Sequence, residues 1–275
     1  MADFWTRVLD FAQAITTDVG KQLILDFGRV QAAQKSDGSL VTQADKWADE
    51  TICRAIAKNF PDHGILSEEG AHIFPGTLWC WVIDPLDGTT NFTRGLPIWG
   101  ISLGLLYQGT PVFGYVYFPV LNQTFHGFYA ETPDLNIPKG AFLNNQPIQT
   151  SKDLPSNQHF FNLCSRSTAI LQNEFPCKIR MLGVATYNFL TVAMGACLGG
   201  LEATPKVWDI AGAWVIVQAA GASWLSLSPY PFPLLYETDY GDQPFPTLIV
   251  SQAELIPVFI PYVAKIKLYE PDFGV

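Results

Sequence analysis

Residues 95–130 contain no Asp, Glu, Lys or Arg. A stretch that long and that apolar either crosses a lipid bilayer or lies in the middle of a sheet protein. Pro97, Pro111 and Pro119, with glycines between them, cut it into pieces of strand length and exclude a membrane span. Its β-rich runs at 98–107, 112–118 and 124–130 are separated by Gln-Gly-Thr-Pro and Pro-Val-Leu-Asn-Gln, which is the punctuation of an antiparallel meander. Across the 275 residues, 48% are hydrophobic and 15% charged. That charge content is well below the roughly 25% of an average globular chain, so disorder and coiled coil are excluded and the chain buries much of itself.

Ahead of the meander, Phe4, Val8, Ile15, Val19 and Leu23 recur at helical spacing, with Asp3 as a candidate N-cap and Gly28 just past the end. Thr42 with Asp45 three residues later reads as a capping-box variant opening a helix to Asn59. The short apolar runs Ile65-Leu66 and 78–83 each stop directly in acidic residues. Beyond the meander, the Pro- and Asn-containing stretch 131–155 reads as a boundary between lobes. Strand candidates at 159–164, 178–182, 223–227 and 247–250 then alternate with helical patterns at 187–197, 209–220 and 253–266. The order predicts an α+β lobe over 1–145 followed by an α/β lobe over 146–275.

Twenty-five Asp and Glu against sixteen Lys and Arg leave −9 at pH 7, which disfavours nucleic acid or an anionic membrane as partner and favours cations. No export segment is readable at the N-terminus, where Asp3, Arg7 and Asp10 interrupt any apolar core, and a cytoplasmic location is expected. The five cysteines (Cys53, Cys80, Cys164, Cys177, Cys197) form no C-x-x-C pair and read as reduced thiols. His63, His72, His126 and His159 show no ligand spacing and read as structural or surface groups.

The chemistry is carried by Trp81-Val82-Ile83-Asp84-Pro85-Leu86-Asp87-Gly88-Thr89-Thr90-Asn91-Phe92, where a buried strand delivers two carboxylates three residues apart. Pro85 has no N–H to extend a ladder, so the chain is expected to turn there and let Asp84 and Asp87 converge beside the Leu86 carbonyl. Oxygen ligands at this spacing suit a hard divalent cation. Gly88-Thr89-Thr90, if it opens a helix, points backbone N–H groups at the same spot as an anion site. Glu68 and Asp209 each add an acid at the end of another predicted element. Carboxylates gathered without a cation repel and raise one another's pKa values, whereas divalent ions relieve the conflict.

Four segments, Lys35 through Asp45, Ser67-Glu68-Glu69, Asp84 through Phe92 and Trp208-Asp209-Ile210-Ala211-Gly212-Ala213, resemble in order and separation the inositol monophosphatase family of Mg²⁺-dependent, lithium-sensitive phosphatases. The resemblance implies a layered αβαβα sugar-phosphatase fold and a site between the two lobes. It implies two or three Mg²⁺ ions, with Glu68, Asp84 and the Leu86 carbonyl matching the first ion's ligands and Asp84, Asp87 and Asp209 the second's. Gly88 and Thr89 match the phosphate-cradling turn. Thr89 and Glu68 match the pair that orients the attacking water, and Asp45 matches the carboxylate supporting that pair. Lys35 and Asp37 fall in the metal-associated loop, and a homodimer is the family expectation.

Arg94, Ala219 and Ala222 depart from residues usual in the family, but none matches a metal ligand. Glu202 has two alignments: counted back from Asp209 it resembles a substrate-hydroxyl ligand, and by its Gly-x-Leu-acid context it resembles an earlier structural acid. Lys206 either faces a substrate anion or is solvated. The implied function is a phosphomonoesterase for a small polyol or sugar phosphate, inositol monophosphate first. Fructose-1,6-bisphosphate, 3′-phosphoadenosine 5′-phosphate and histidinol phosphate are alternative substrates, and a non-catalytic metal- or phosphate-binding interaction module is the competing class.

Overall fold

A computed structural model describes residues 2–35, 40–130, 135–172 and 174–263. Its elements in chain order are α1 (Ala2–Asp26), β1 (Ala33–Gln34), β2 (Leu40–Val41), α2 (Gln43–Asn59), β3 (Gly64–Ser67), β4 (Trp79–Asp87), α3 (Thr89–Thr93), β5 (Gly100–Tyr107), β6 (Thr110–Phe118) and β7 (Gln123–Phe128). There follow β8 (Gly140–Leu143), β9 (Gln146–Pro147), β10 (Phe160–Leu163), β11 (Lys178–Arg180), α4 (Ala185–Ala193), β12 (Gly199–Glu202), α5 (Val207–Ala219), β13 (Ser223–Ser226), β14 (Thr247–Val250) and α6 (Ile256–Val263).

Seven strands form one sheet in the order β3-β4-β5-β6-β7-β8-β9, parallel only between β3 and β4. Five form a second, in the order β11-β10-β12-β14-β13, with β10 parallel to both its neighbours. One core lies between the first sheet and the α1/α2 pair, where Trp5, Val8, Val19 and Leu23 meet Ile52, Trp81 and Ile101. A second lies around α4 and α5, and a third beneath α6, where Phe161 meets Phe259. Helix pair, sheet, helix pair, sheet, helix is the layered αβαβα architecture, and no described helix is long and apolar enough to cross a membrane.

Local chemistry explains the elements. Thr42 caps α2 by accepting from the Ala44 and Asp45 N–H groups, while Asp45 reaches back to the Thr42 N–H at 2.8 Å, completing the expected capping box. α1 begins at Ala2, so Asp3 sits in its first turn, where a negative charge suits the positive end of the helix, rather than capping it. α5 is buried on all sides, as a helix between two sheets must be, and its sequence Val-Trp-Asp-Ile-Ala-Gly-Ala-Trp-Val-Ile-Val is apolar all round except at Asp209.

α5 approaches the first sheet closely because Gly104, Gly114 and Gly127 are paired in register across β5, β6 and β7. A Cβ on Gly114 would lie 2.0 Å from the Gly212 carbonyl oxygen, and one on Gly127 would lie 2.9 Å from Ile216 Cα. The row of glycines is a trench that seats the helix and thereby sets where Asp209 stands.

Three features differ from expectation. β4 does not stop at Pro85; it runs to Asp87, with Asp84 paired to Ser102, Asp87 paired to Gly100 and a register shift between. The missing N–H of Pro85 is accommodated in that irregularity, the kind of place a sheet tolerates proline. Residues 140–147, within the stretch read as irregular, form the β8–β9 hairpin and extend the first sheet. Asn144 and Asn145 both take positive φ there (49° and 63°), as a tight hairpin turn demands. Finally, β12 occupies a Gly-Gly-Leu-Glu segment that carries no strand signal.

Candidate active site

Asp84, Asp87 and Asp209 converge. Each offers an oxygen, and these oxygens all lie within 4.8 Å of one another. Asp84 and Asp87 flank the β4 irregularity, and Asp209 comes from the first turn of α5. Each carboxylate is oriented by backbone: Asp84 Oδ1 accepts from the Leu86 N–H at 3.0 Å and Asp209 Oδ2 from the Lys206 N–H at 2.6 Å. Asp87 Oδ2 accepts from the Thr186 N–H at 2.9 Å and from the Thr186 hydroxyl at the start of α4.

The electrostatics are those of acids forced together. Burial raises Asp84 well above the usual carboxylate range, and the nearby charges of Glu68, Asp87 and Asp209 raise it further. Asp209 is raised by burial, then by Asp87 and Glu68. Burial also raises Asp87, against the opposing Thr186 hydrogen bonds. Glu68 follows β3; burial pushes it up to about 7, with Lys35 opposing and Glu69 and Asp45 adding.

Lys35 Nζ pairs with Glu68 Oε1 at 2.9 Å and also with Glu69. Burial works to lower the Lys35 pKa, but the two glutamates outweigh it and hold the ammonium above its ordinary value. Asp37 lies outside the described residues.

A second group adjoins the first. Thr89, the first residue of α3, donates to Asp45 Oδ1 at 2.9 Å and lies 3.2 Å from the Leu86 carbonyl oxygen. Asp45 is held from behind by the Thr42 hydroxyl and N–H; burial raises its pKa while these bonds and Thr89 lower it. Gly88 precedes α3 with φ 92°, and a Cβ there would meet Val184 Cγ2 at 2.6 Å, so the turn into α3 requires glycine.

The two uncertain residues have definite places. Glu202 is buried at the end of β12, accepts from Asn188 Nδ2, and is pushed up to about 7 by burial, with Asp87 adding to the rise. Lys206 Nζ donates to the Gly241 carbonyl at 2.9 Å. Sequence reasoning did not find Thr186, Asn188 or the Lys35 pairing with Glu68 and Glu69. Thr186 stands 99 residues from the carboxylate it serves, and nothing local marks it.

Does this donor set fit a divalent cation? Three hard oxygen donors from two distant parts of the chain, with Asp87 raising both Asp84 and Asp209 and Asp209 raising Asp84, form a site whose charge an oxygen-seeking cation neutralises.

Comparison with known proteins agrees. The model of the inositol monophosphatase family matches residues 5–243. The chain belongs to the inositol monophosphatase family. It is 34% identical over 227 residues to an inositol-1-monophosphatase of Synechocystis, covering 78% of this chain and 76% of the relative. It is also 34% identical over 221 residues to a fructose-1,6-bisphosphatase/inositol-1-monophosphatase of Thermotoga maritima, covering 78% and 82%. The solved structure of a Thermotoga maritima IMPase superimposes with a TM-score of 0.79 at 30% identity, covering 94% of this chain and 97% of that one. Members of the inositol monophosphatase family are metal-dependent phosphatases, and this chain is a phosphoric monoester hydrolase of that class.

Proposed function

We propose that the enzyme is a Mg²⁺-dependent phosphomonoesterase acting on a small polyol or sugar phosphate, with inositol monophosphate the first substrate to test. The observation that carries this reading is the contact between the two groups. The Asp84, Asp87 and Asp209 cluster is joined, through the Leu86 carbonyl, to the Thr89–Asp45 pair. The names of the relatives support both inositol monophosphate and fructose-1,6-bisphosphate as substrate candidates.

Two ions would be held by Glu68, Asp84 and the Leu86 carbonyl on one side and by Asp84, Asp87 and Asp209 on the other. When bound, Mg²⁺ supplies positive charge that neutralises phosphate oxygens and makes water more acidic. The chain's own residues do the rest. Asp45 accepts the Thr89 proton, so the Thr89 oxygen keeps lone pairs with which to accept a hydrogen bond from water and orient it. Glu68, close enough to Asp45 for their charges to be felt, would stand with Thr89 as the pair that orients the water, its carboxylate kept charged by a bound cation. The Gly88–Thr89 turn opens α3, whose first N–H groups have no partner within the helix and can donate to phosphate oxygens. A bound cation would stabilise the leaving oxygen, so the reading asks for no histidine as its acid.

The test is phosphate release from a panel of esters (inositol monophosphates, fructose-1,6-bisphosphate, 3′-phosphoadenosine 5′-phosphate, histidinol phosphate) with and without Mg²⁺. Mg²⁺-dependent turnover of a polyol or sugar phosphate, lost in Asp87→Asn, is expected. Inactivity across the panel, or full activity of Asp87→Asn at saturating Mg²⁺, overturns the reading.

A further inference from the structure

Glu68 and Asp209 belong to different parts of the chain, and one continuous path of hydrogen bonds outside the carboxylate cluster connects them. His72 Nε2 lies 2.8 Å from the Glu68 carbonyl oxygen. A carbonyl only accepts, so Nε2 carries the proton and His72 donates. The His72 carbonyl in turn accepts from the Tyr240 N–H at 3.0 Å. The next residue, Gly241, offers its carbonyl to Lys206 Nζ at 2.9 Å, and the Lys206 N–H donates to Asp209 Oδ2 at 2.6 Å.

The middle of this path is itself secured. Phe74 N–H donates to the Thr238 carbonyl, which together with the Tyr240–His72 bond makes an antiparallel bridge centred on Ile73 and Asp239, and Glu237 N–H donates to the Phe74 carbonyl. The Asp239 carboxylate accepts from the Gly241 N–H at 2.8 Å, and its carbonyl accepts from Gln243 Nε2. The His72 ring also packs against Trp208, the residue before Asp209, with centroids 5.3 Å apart. A Cβ on Gly241 would fall 2.7 Å from His72 Nδ1, so the close approach of this segment to the imidazole needs glycine.

We propose that the segment 237–243 is a brace that sets the spacing of Glu68 and Asp209, with His72 and Lys206 as its two positioning residues. The inference rests on the reading of Glu68 and Asp209 as cation ligands. It gives Lys206 a use other than the substrate contact considered from sequence. Ligand orientation by outer hydrogen bonds is a large effect in metal sites, commonly about 10–100-fold in affinity or activity.

The experiment is calorimetric titration of the metal-free, full-length protein with Mg²⁺ and with Mn²⁺, alongside the Mg²⁺ dependence of turnover. His72→Phe keeps a ring against Trp208 and removes the donor; Lys206→Met removes the ammonium and keeps the stem. Each is expected to weaken cation binding by about tenfold. His72→Gln and Lys206→Arg, which keep a donor, should recover most of it. Because both residues are links of one chain, the double variant His72→Phe/Lys206→Met should bind scarcely worse than either single variant, whereas two independent packing roles would add. Gly241→Ala is the second route to the same break, since it displaces the imidazole without removing either donor.

Wild-type cation affinity in folded His72→Phe and Lys206→Met overturns the brace, as does additivity in the double variant. Asp84→Asn separates the two readings. If it abolishes calorimetric binding while the brace variants bind normally, only the brace fails. If it too binds like wild type, the cation site itself fails.

Discussion

A single hydroxyl, that of Thr89, ties the start of α2 to the turn after β4: it donates to Asp45 Oδ1 at 2.9 Å, with the Leu86 carbonyl oxygen 3.2 Å away. Both neighbours are acceptors, and the hydroxyl has one proton, so the oxygen's lone pairs face away from the carboxylate and toward whatever enters the site. On the proposed reading, Thr89 is an acceptor for the attacking water.

Thr89→Val, nearly the same shape without the hydroxyl, should therefore lower kcat by about 100-fold or more, the usual scale for losing a positioned proton-transfer partner. KM should change little, and Thr89→Ser should restore most of the rate. Steady-state kinetics at saturating Mg²⁺ decide it. A kcat for Thr89→Val within a factor of a few of wild type would remove Thr89 from the chemistry.

The crowded acids predict a pH effect with a definite sign. Asp84 has a folded-state pKa well above its unfolded value because of burial and the charges of Glu68, Asp87 and Asp209. Between the unfolded value, about 4, and the raised folded value, the folded chain holds a proton that the unfolded chain has released, so stability falls as pH rises. In chelator, the melting temperature of wild type relative to Asp84→Asn should decline steadily from pH 4.5 to 8, and Asp84→Asn should be the more stable at pH 8. Adding Mg²⁺ should raise the wild-type melting temperature and leave the variant's unchanged. A wild-type advantage in chelator that grows with pH would contradict this account of the cluster.

His126 has the opposite sign. Burial lowers it to about 4; its ring stacks on Phe142 at 4.8 Å, and its Nδ1 has no hydrogen-bond partner among the described residues. The folded state resists the proton that the unfolded state accepts, so the stability this residue contributes is complete above about pH 6.5 and is lost as pH falls toward 4. Thermal melts of wild type and His126→Phe at pH 7 and pH 4.5 should show the variant losing less on acidification. Equal losses would mean that the imidazole is protonated freely in the fold.

Much of this was legible in the sequence where the cause is local. The capping box at Thr42 and Asp45, the meander, and the strand that ends in Asp84 and Asp87 are each set by residues within a few positions of one another. What was not legible depends on distant partners. β12 carries two glycines, which argue against a strand on propensity. A Cβ on Gly199 would fall 2.5 Å from the Phe161 ring, so its glycine follows from packing against β10 rather than from backbone preference. Pro85 signalled a turn, but the pairing of Asp87 with Gly100 lets β4 resume after it. The Asn144-Asn145 pair looked like linker because its β9 partner strand is only two residues long. Of the site, Asp45, Glu68, Asp84, Asp87 and Asp209 were visible as acids at or near element ends. Thr186 on Asp87, Lys35 on Glu68 and Glu69, and His72 on the Glu68 carbonyl join residues whose nearness only the fold creates.

The glycine trench under α5 leads to the last prediction. Gly104, Gly114 and Gly127 leave a row without side chains, and Ala211, Gly212 and Ile216 of α5 rest in it. A methyl on Gly114 would sit 2.0 Å from the Gly212 carbonyl oxygen, backbone against backbone, so no rotamer change can absorb it. Gly114→Ala must push α5 off the sheet, and overpacking of this kind costs about 1–3 kcal/mol or more. Gly127→Ala, whose Cβ would lie 2.9 Å from Ile216 Cα and 3.2 Å from its side chain, should be milder. Since α5 carries Asp209 three residues before Gly212, Gly114→Ala should lower both the melting temperature and Mg²⁺ affinity, while an equally destabilising substitution in the core beneath α6, such as Phe259→Leu, should lower only the first. Chemical denaturation paired with Mg²⁺ calorimetry on the two variants measures the difference. Matched losses of cation binding would show that the trench supports the fold in general and does not place Asp209 in particular.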